Sequence, residues 1–558
     1  GGATAVGYLV NTTGNQAFGA GSNVTVSGTA AVGIGYSNTV SGDRAISIGS
    51  AYNGTQTGAT GDYSVALGAA ARASNEGSIA IGKTTAASEA GATAIGNAAT
   101  ASKSDAIAFG TSAAASESSA IAIGKSTQAK SSKSIAVGEG AVADGTATIA
   151  IGAGNNATGW GATAVGKNVQ VTKERSTGIG WDLTVDQSAA TLVGYNSQVH
   201  ANQGTGLGST INITSAAQYG TGIGYQVDVS GKNAVAIGSS GDTGTHTAAS
   251  ATDAISIGTA TVASGEAATA IGKQATASKS DAVAVGTSSA ASAEKAVAIG
   301  QKANAGGLSS IAIGDTASAS QASGIAIGGK TNVTGSMAVA VGNSAAATAT
   351  KAVSIGHSSM AGAEDAAAYG YMARATATGA LALGATASAT EVNSVALGAS
   401  SATAAAVNTG TMTISGKSYT LAGGTADGTV SIGSSTQKRT ITNVAAGRVS
   451  ATSTDAVNGS QLHAVVQAAE STATALTSVS TAASSALVKA TSAETKAVAA
   501  AATANATSTA LTSVSTAANS ALVKATSAET KADAAAATAN ATSTALTSVS
   551  TAANSALV

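Results

Sequence analysis

The sequence SSAIAIGKSTQAKSSKSIAVGEG, residues 118–140, contains two nearly equivalent apolar motifs, AIAIG and SIAVG. Their glycines, Gly124 and Gly138, lie fourteen residues apart, and glycines at this spacing recur from Gly68 to Gly398. We call them the repeat glycines. Three intervals, 49–68, 208–224 and 238–258, are longer than the repeat by five, two and six residues, and the repeat is intact on both sides of each insertion. Such insertions are typical of loops that protrude from single coils of a solenoid.

The composition also favours a repeat architecture. Of 558 residues only 9% are charged and 3% are aromatic, and there are two Phe, which is too few for a large globular core. Val and Ile nevertheless recur regularly, unlike in a disordered chain. The net charge of -1, with scattered Lys and Arg, argues against nucleic acid and anionic membranes as partners. The absence of Cys excludes disulfides and thiolate metal sites.

The AIAIG motif predicts a β-strand. Its β-branched residues alternate with small ones, as at Ile121 and Ile123, and the glycine that follows suits a tight corner. A weaker pair lies three and five residues beyond each glycine, as at Ala113 and Ala115. Glycine every fourteen residues opposes a helix. Each repeat is therefore predicted to form two short strands and two corners.

Residues 160–230 indicate how the two strands pack. There the position three before the glycine becomes threonine, as at Thr163, while the second pair grows, as at Val169 and Val171. One side shrinks where the other swells, as expected if the two pairs face each other across a core of constant volume. We therefore expect each repeat to be one coil of a thin, two-sided parallel β-roll, which gains stability by self-association.

Beyond Leu462 the sequence follows a heptad pattern. Two near-copies of a 35-residue unit, 471–505 and 506–540, each span five heptads, and neither Pro nor Gly follows Gly459. The pattern predicts a coiled coil. Its alanine-rich seam, with Leu522 and Val523 beside it, leaves the number of helices open. The predicted seam consists of Leu476, Val479, Ala483, Ala486, Ala490, Ala493, Ala497, Ala500, Ala504, Thr507 and Leu511.

Three features together resemble the passenger of a trimeric autotransporter adhesin with a YadA-like head. They are the AIAIG coils, the segment VSIGSSTQKRTITNVAAG, and DAVNGSQL leading into heptads. The resemblance implies a homotrimer on a Gram-negative cell surface, with a left-handed parallel β-roll head, a neck and a coiled-coil stalk. It also implies a signal peptide and a C-terminal barrel that anchors the chain in the outer membrane. Neither is present in this sequence, so we expect it to be a fragment.

The resemblance also implies a division of the chain. It places the head at 1–405, a connector at 406–440, the neck at 441–462 and the stalk at 463–558, with Arg448–Thr452 matching the insertion of a longer neck variant. Asp455 is expected to cap the N-terminus of the first stalk helix. Neck formation and trimerisation are assigned to Ile441, Asn443, Val444, Asp455, Val457, Asn458, Gln461 and Leu462.

The resemblance implies an adhesin that attaches bacteria to host matrix proteins or cell-surface receptors and to one another. The alternative is a structural spacer or surface-layer fibre that displays a binding part outside this sequence. An ice-binding solenoid is disfavoured because Thr occurs mostly singly. We expect no enzymatic activity, no cofactor and no metal, since glycine-rich motifs here lack the context of a phosphate-binding loop. The histidines are predicted to be isolated at the surface: His200, His246, His357 and His463.

Several aromatic residues directly follow a repeat glycine, at a position that elsewhere holds lysine. Exchange with lysine predicts that this position faces solvent. These residues are Tyr36, Trp181, Tyr195, Tyr225 and Tyr371. Trp181 and Tyr195 are one coil apart and are expected to be close enough to stack. They form either a ladder without a ligand or, together with Trp160 and Tyr225, a ligand-binding surface within 160–230.

Overall fold

The computed structural model describes residues 1–241, 244–490 and 497–555. The chain comprises two units, Gly1–Lys302 and Ala303–Val558. Both contain coils of a parallel β-solenoid, and the second also contains two α-helices. The predicted fold class, a parallel β-roll followed by a helical segment, is confirmed.

Strands one repeat apart pair in parallel and in register. Ile121 pairs with Ile135, and Ala122 pairs with Ala136, so each residue lies beside its equivalent in the next coil. Equivalent side chains therefore form columns along the solenoid, with a spacing of about 4.8 Å from coil to coil.

The repeat glycines are required by this close stacking. Gly194 has a φ of +151°, in the region that favours glycine. A Cβ atom at Gly194 would lie 1.5 Å from the carbonyl oxygen of Gly208 in the next coil. Backbone meets backbone at this corner, so no side chain fits between consecutive coils.

Most coils of the first unit contain two short strands, one before the repeat glycine and one after it. The first coil is formed by Thr4–Tyr8 and Asn11–Thr12. The other strands before the glycine span Ile46–Ser50, Val65–Leu67, Ile79–Ile81, Thr93–Ile95, Ile107–Phe109, Ile121–Ile123, Ile135–Val137, Ile149–Ile151, Val235–Ser239, Ile255–Thr259, Thr269–Ile271, Val283–Val285 and Val297–Ile299. The strands after it span Thr57–Ala59, Arg72–Ala73, Ala86–Ala87, Thr100–Ala101, Ala114–Ala115, Gln128–Ala129, Val142–Ala143, Asn156–Ala157, Thr247–Ala249, Val262–Ala263, Thr276–Ala277 and Ala290–Ala291.

The remaining coils of the first unit contain one uninterrupted nine-residue strand, and we call them the continuous coils. They occur in two groups, near the N-terminus and within the segment 160–230. Their strands span Phe18–Val26, Val32–Val40, Thr163–Val171, Thr177–Val185, Thr191–Val199, Thr205–Ile213 and Thr221–Val229.

The core of the two-strand coils is built mainly from alanine, not from the β-branched residues before the glycine. Ala120, Ala122 and Ala129 are fully buried, whereas Ile123 is 38% exposed. Burial of the second pair is confirmed, but the prediction that the β-branched pair faces it is wrong. Side chains alternate along a strand, and the residues between the β-branched ones point inward. The two strands of a coil lie so close that small residues fit between them.

Volume compensation within 160–230 involves a different position from the predicted one. The residue two before the repeat glycine becomes Gly178, Gly206 or Gly222, and it is this residue that faces the enlarged second pair. A Cβ atom at Gly178 would lie 2.7 Å from Val169 Cγ1 and 2.9 Å from Val171 Cγ2. The threonines three before the glycine are partly exposed on the outside of the strand instead.

The second unit repeats the two-strand coil. Its strands before the repeat glycine span Ile311–Ile313, Ile325–Ile327, Val339–Val341, Val353–Ile355, Ala367–Tyr369, Leu381–Leu383 and Val395–Leu397. Its strands after a repeat glycine span Asn304–Ala305, Ser318–Ala319, Asn332–Val333, Ala346–Ala347, Met360–Ala361, Arg374–Ala375 and Ser388–Ala389.

The segment predicted as a connector adds one more strand to this ladder. Val430–Ser431 pairs in parallel with Val395 and Ala396. An antiparallel hairpin, Thr411–Ile414 with Lys417–Thr420, is inserted before it. The Arg439 guanidinium closes the end of the ladder by donating to the carbonyl oxygen of Ala399 at 2.6 Å and to Ser401 Oγ at 3.0 Å.

Two helices follow: α1 spans Gly459–Ala490 and α2 spans Ala497–Ser555. Val479, on the predicted seam, is 50% exposed in the single chain, so partner helices are needed to bury it. The seam residue Ala493 lies outside the described residues. Within the described ranges, no helix has the length and apolar character that crossing a membrane requires.

Candidate binding surface

The residues that directly follow the repeat glycines form one column along an edge of the solenoid, which we call the post-glycine column. Trp181 and Tyr195 are neighbours in it and are each 50% exposed. Their ring centroids lie 5.8 Å apart with the ring planes at 80°, an edge-to-face contact. The predicted solvent exposure is confirmed, and the predicted contact takes the edge-to-face form.

Polar groups adjoin this aromatic pair. The Lys167 ammonium lies 4.9 Å from the centre of the Trp181 ring, within the range of a cation–π contact. Asn168 Nδ2 donates to Asp182 Oδ1 at 2.7 Å, next to the column. The surface around Trp181 therefore combines an apolar ring with a cation and a hydrogen-bonded amide–carboxylate pair.

The four aromatic residues predicted to form one site are not all brought together. Trp160 lies at the opposite corner of its coil, before the strand rather than after the glycine, with the Arg175 guanidinium 5.0 Å from its ring centre. Tyr225 is in the post-glycine column but is separated from Tyr195 by one coil, whose residue in the column is Ser209.

The same arrangement of tyrosine, serine and tyrosine occurs at the start of the chain. Tyr8 pairs with Ser22, and Ser22 pairs with Tyr36. Tyr8, Ser22 and Ser209 were not predicted from the sequence. Only large side chains after the repeat glycines were considered there, and not the small residues between them. The available signal was the extension of the fourteen-residue spacing back to Gly7 and Gly21.

The prediction of isolated histidines is wrong for three of the four. His200 Nδ1 lies 2.7 Å from Asp186 Oδ2, in the neighbouring coil. His246 Nδ1 lies 2.5 Å from Asp228 Oδ2. His357 stacks on Tyr371, with ring centroids 5.5 Å apart. His200 and Asp186 are fourteen residues apart, as are His357 and Tyr371, so the repeat and its parallel register place each pair side by side in neighbouring coils. The repeat spacing was therefore a signal for these two contacts, whereas His246 and Asp228 are eighteen residues apart.

The histidines and carboxylates of the described residues do not gather into larger clusters. Across 1–241, 244–490 and 497–555, no three His, Cys, Asp or Glu side chains are grouped so that they could hold an ion. His200–Asp186 and His246–Asp228 are therefore pairs and not parts of a larger cluster.

Two predicted neck residues link the start of α1 to the segment before it. Gln461 Nε2 donates to the carbonyl oxygen of Gly447 at 2.5 Å, and Gly447 N–H donates to Gln461 Oε1 at 2.9 Å. Asn458 Nδ2 donates to the carbonyl oxygen of Val444 at 2.9 Å. These bonds fold residues 444–447 back against the helix start.

The predicted helix cap is corrected from Asp455 to Asn458. Asn458 Oδ1 accepts from the backbone N–H of Gln461 at 3.2 Å, as a capping side chain does. Asp455 instead pairs with Arg448: Nε lies 2.8 Å from Oδ2, and Nη2 lies 3.1 Å from Oδ1. Hydrogen bonding from the Arg448 side chain lowers the pKa of Asp455 to about 2.

Comparison with known families agrees with these observations. A family model described as the coiled stalk of trimeric autotransporter adhesin matches residues 440–485. No curated protein matches the sequence. The YadA head domain repeat matches nine segments: 27–51, 59–85, 87–113, 115–141, 143–168, 249–275, 277–303, 305–331 and 375–401.

Two solved structures are similar over part of their length. The first is the C-terminal YadA-like domain of a Burkholderia pseudomallei protein, with 39% identity, 21% of this chain and 50% of that chain covered, and a TM-score of 0.18. The second is the collagen-binding domain of the Yersinia adhesin YadA, which is 25% identical. The match covers 37% of this chain and 85% of that chain, with a TM-score of 0.23. The chain thus spans half of the first of these structures.

Proposed function

Because the chain belongs to the trimeric autotransporter adhesins, with the YadA-like head and coiled stalk of that family, we propose that it attaches bacteria to host matrix proteins or host cells and to one another. This is a family of adhesins and not of enzymes. The observation that carries the proposal is the pair Trp181 and Tyr195, which lie in contact yet half exposed on the edge of the head. Exposed aromatic side chains supply the contact area that small residues lack.

The proposed working form is a parallel homotrimer, the assembly typical of the family. One face of the solenoid supports it, because the outward β-branched residues form an apolar stripe. Ile123, Ile151 and Ile179 are between 38% and 41% exposed and lie in one column of the first unit. A continuous exposed apolar stripe of this kind marks a protein interface, and two further copies of the chain are its proposed occupants.

We assign trimerisation to the neck as well. The proposed residues are those implied by the resemblance, and Asn458 and Gln461 support the assignment because they fix residues 444–447 against the start of α1. We retain 1–405, 406–440, 441–462 and 463–558 as the proposed head, connector, neck and stalk.

Specificity is proposed to reside in residues 160–230, at Trp181, Tyr195 and Tyr225, with Trp160 on the opposite corner. Three chains present three copies of each contact, so individually weak sites add up through avidity. YadA itself is described as collagen-binding, and collagen is accordingly one of the ligands that we would test.

The experiment measures binding of the purified chain to immobilised collagen, fibronectin and laminin and to intact host cells. Saturable binding to at least one surface supports an adhesin. Beads coated with the chain should also clump if it mediates contact between bacteria. If no surface is bound and the beads stay dispersed, the structural spacer is the better account.

A further inference from the structure

The head contains two places where a small side chain lies between two exposed tyrosines. We propose that these tyrosine slots, Tyr8–Ser22–Tyr36 and Tyr195–Ser209–Tyr225, bind the pyranose rings of neutral host glycans. This inference deepens the proposed function, because it names the chemistry that the adhesin recognises. Tyr195 and Tyr225 belong to the surface proposed above, and the inference adds Ser209 between them and the whole N-terminal slot.

The register places the three residues of each slot in consecutive coils. Tyr195 pairs with Ser209, and Ser209 pairs with Tyr225. Tyr195 and Tyr225 are each 50% exposed, whereas Ser209 between them is partly buried. Two exposed tyrosines therefore flank a partly buried serine. Both slots lie in continuous coils, or against one, where the backbone passes the glycine in an extended strand.

The width of the slot selects the shape of its occupant. Tyrosines two coils apart are separated by about 10 Å at the strand spacing. A flat group touching both rings would fill only about 7 Å, at 3.5 Å for each contact. A puckered saturated ring is thicker because it carries hydrogens on both faces. These C–H groups are weakly positive and face the negative faces of the tyrosine rings favourably.

Charge selects a neutral occupant. The two longest stretches of the chain without Asp, Glu, Lys or Arg are residues 1–42 and 187–227, and each contains one slot. A sialylated or sulfated sugar, or an acidic peptide, would find no countercharge there. The uncharged side chains beside the second slot, Asn196, Thr210 and Gln226, supply the amide and hydroxyl groups that sugar hydroxyls need.

A proline ring is also saturated and puckered, but it offers no hydroxyl to the polar rim. A pyranose uses both the rings and the rim, so it is the favoured occupant. The slots lie thirteen coils apart, or about 60 Å at the strand spacing. Each slot would therefore bind a separate glycan on the host surface. Three chains would present six slots and so raise a weak affinity by avidity.

The test uses an array of neutral mammalian glycans and their sialylated counterparts, probed with the intact chain. The plugged variant is Ser22→Tyr/Ser209→Tyr, which fills both slots with a third ring. The matched control is Thr111→Tyr/Thr287→Tyr, which adds the same side chains to exposed positions of the post-glycine column away from the slots. Circular dichroism and sedimentation check that both variants fold and assemble as the parent does.

We expect the parent and the control to bind neutral glycans and the plugged variant to bind at least tenfold more weakly. Tyr225→Ser, which removes one wall, should weaken binding in the same direction if the plugged variant fails to fold. Absence of glycan binding, binding only to sialylated glycans, or equal binding by the plugged variant would overturn the proposal. A proline-rich collagen peptide that competes at the slots would also overturn it.

The same proteins are applied to host cells before and after enzymatic removal of glycans. Attachment that survives deglycosylation overturns the glycan slots and leaves the adhesin proposal standing. Failure to attach to any cell contradicts both. Attachment that is lost on deglycosylation and on plugging supports both.

Discussion

Trp181 and Tyr195 lie in adjacent coils with their ring centroids 5.8 Å apart, and half of each side chain remains exposed. The parallel register makes this contact unavoidable, because equivalent positions of neighbouring coils lie side by side. An aromatic pair held in this way is preorganised, so little side-chain freedom is lost when a partner binds. The relationship thus connects the fourteen-residue repeat directly to a surface suited to recognition.

The first prediction concerns the repeat glycines. Gly194→Ala should lower the thermal midpoint of the head and reduce its free energy of unfolding by about 2–4 kcal/mol. The substitution combines a positive φ with a backbone clash in the next coil. Gly410→Ala is the control, since no atom lies within 4 Å of the added Cβ. Equal midpoints for the two variants, measured by circular dichroism, would show that the coils are not stacked as described.

The second prediction separates the core from the interface. Ala122→Val should overpack the fully buried core and destabilise the head by about 1–3 kcal/mol. A triple variant should instead favour dissociation, in which Ser replaces Ile123, Ile151 and Ile179. We expect it to weaken the free energy of association by about 1 kcal/mol for each side chain.

Sedimentation distinguishes the two variants. The parent and Ala122→Val are expected at three times the chain mass of 52.0 kDa, and the triple variant at lower mass at the same concentration. If the triple variant stays assembled while Ala122→Val dissociates, the outward stripe is not the interface.

The third prediction concerns pH and the neck. The pKa of Asp455 is held near 2, below its ordinary value of 3.8, by Arg448. A depressed pKa means that the folded state favours the ionised form, so this stabilisation is present above about pH 4 and is lost as pH falls through 2. Asp455→Asn should therefore lower the melting temperature of the neck at pH 7 and lower it much less at pH 2.

Asp427→Asn serves as the control, because Asp427 forms no ion pair within the described parts of the chain. A melting difference between the parent and Asp455→Asn that persists unchanged at pH 2 would contradict the role given to the Arg448 pair.

Much of the fold could be predicted because the repeat is visible in the regular spacing of its glycines. The glycine spacing gives the coil, and the spacing of small and β-branched residues gives the strands. Which side of the strand faces inward could not be predicted, since Ile121 and Ile123 look like core residues by composition. Ala122 is fully buried at the inward position, and where the larger Leu192 is buried at the equivalent position, the inward residue after the glycine is the small Ser197. The combined volume of the facing residues therefore decides the matter, and the composition of one strand does not reveal it.

The candidate site was predictable in part for the same reason. Exchange of Trp181 with lysine at equivalent positions indicated exposure, and this was correct. The repeat spacing could have indicated His200–Asp186, whose members are fourteen residues apart, whereas Arg448–Asp455 depends on a turn outside the repeat. Ser209 was overlooked because it is small beside the two tyrosines that flank it in the column, Tyr195 and Tyr225.

The central claim, that the head binds through its exposed aromatic residues, is tested most directly by one comparison. Trp181→Ser/Tyr195→Ser is compared with Tyr371→Ser, an aromatic residue that also directly follows a repeat glycine but lies in the second unit, for binding to host matrix and host cells. We predict that the double variant binds at least tenfold more weakly with unchanged mass and β-content, because both positions face solvent, while Tyr371→Ser binds like the parent. Equal binding by the double variant and the parent would contradict the account and leave Trp181 and Tyr195 as a stacking ladder without a ligand.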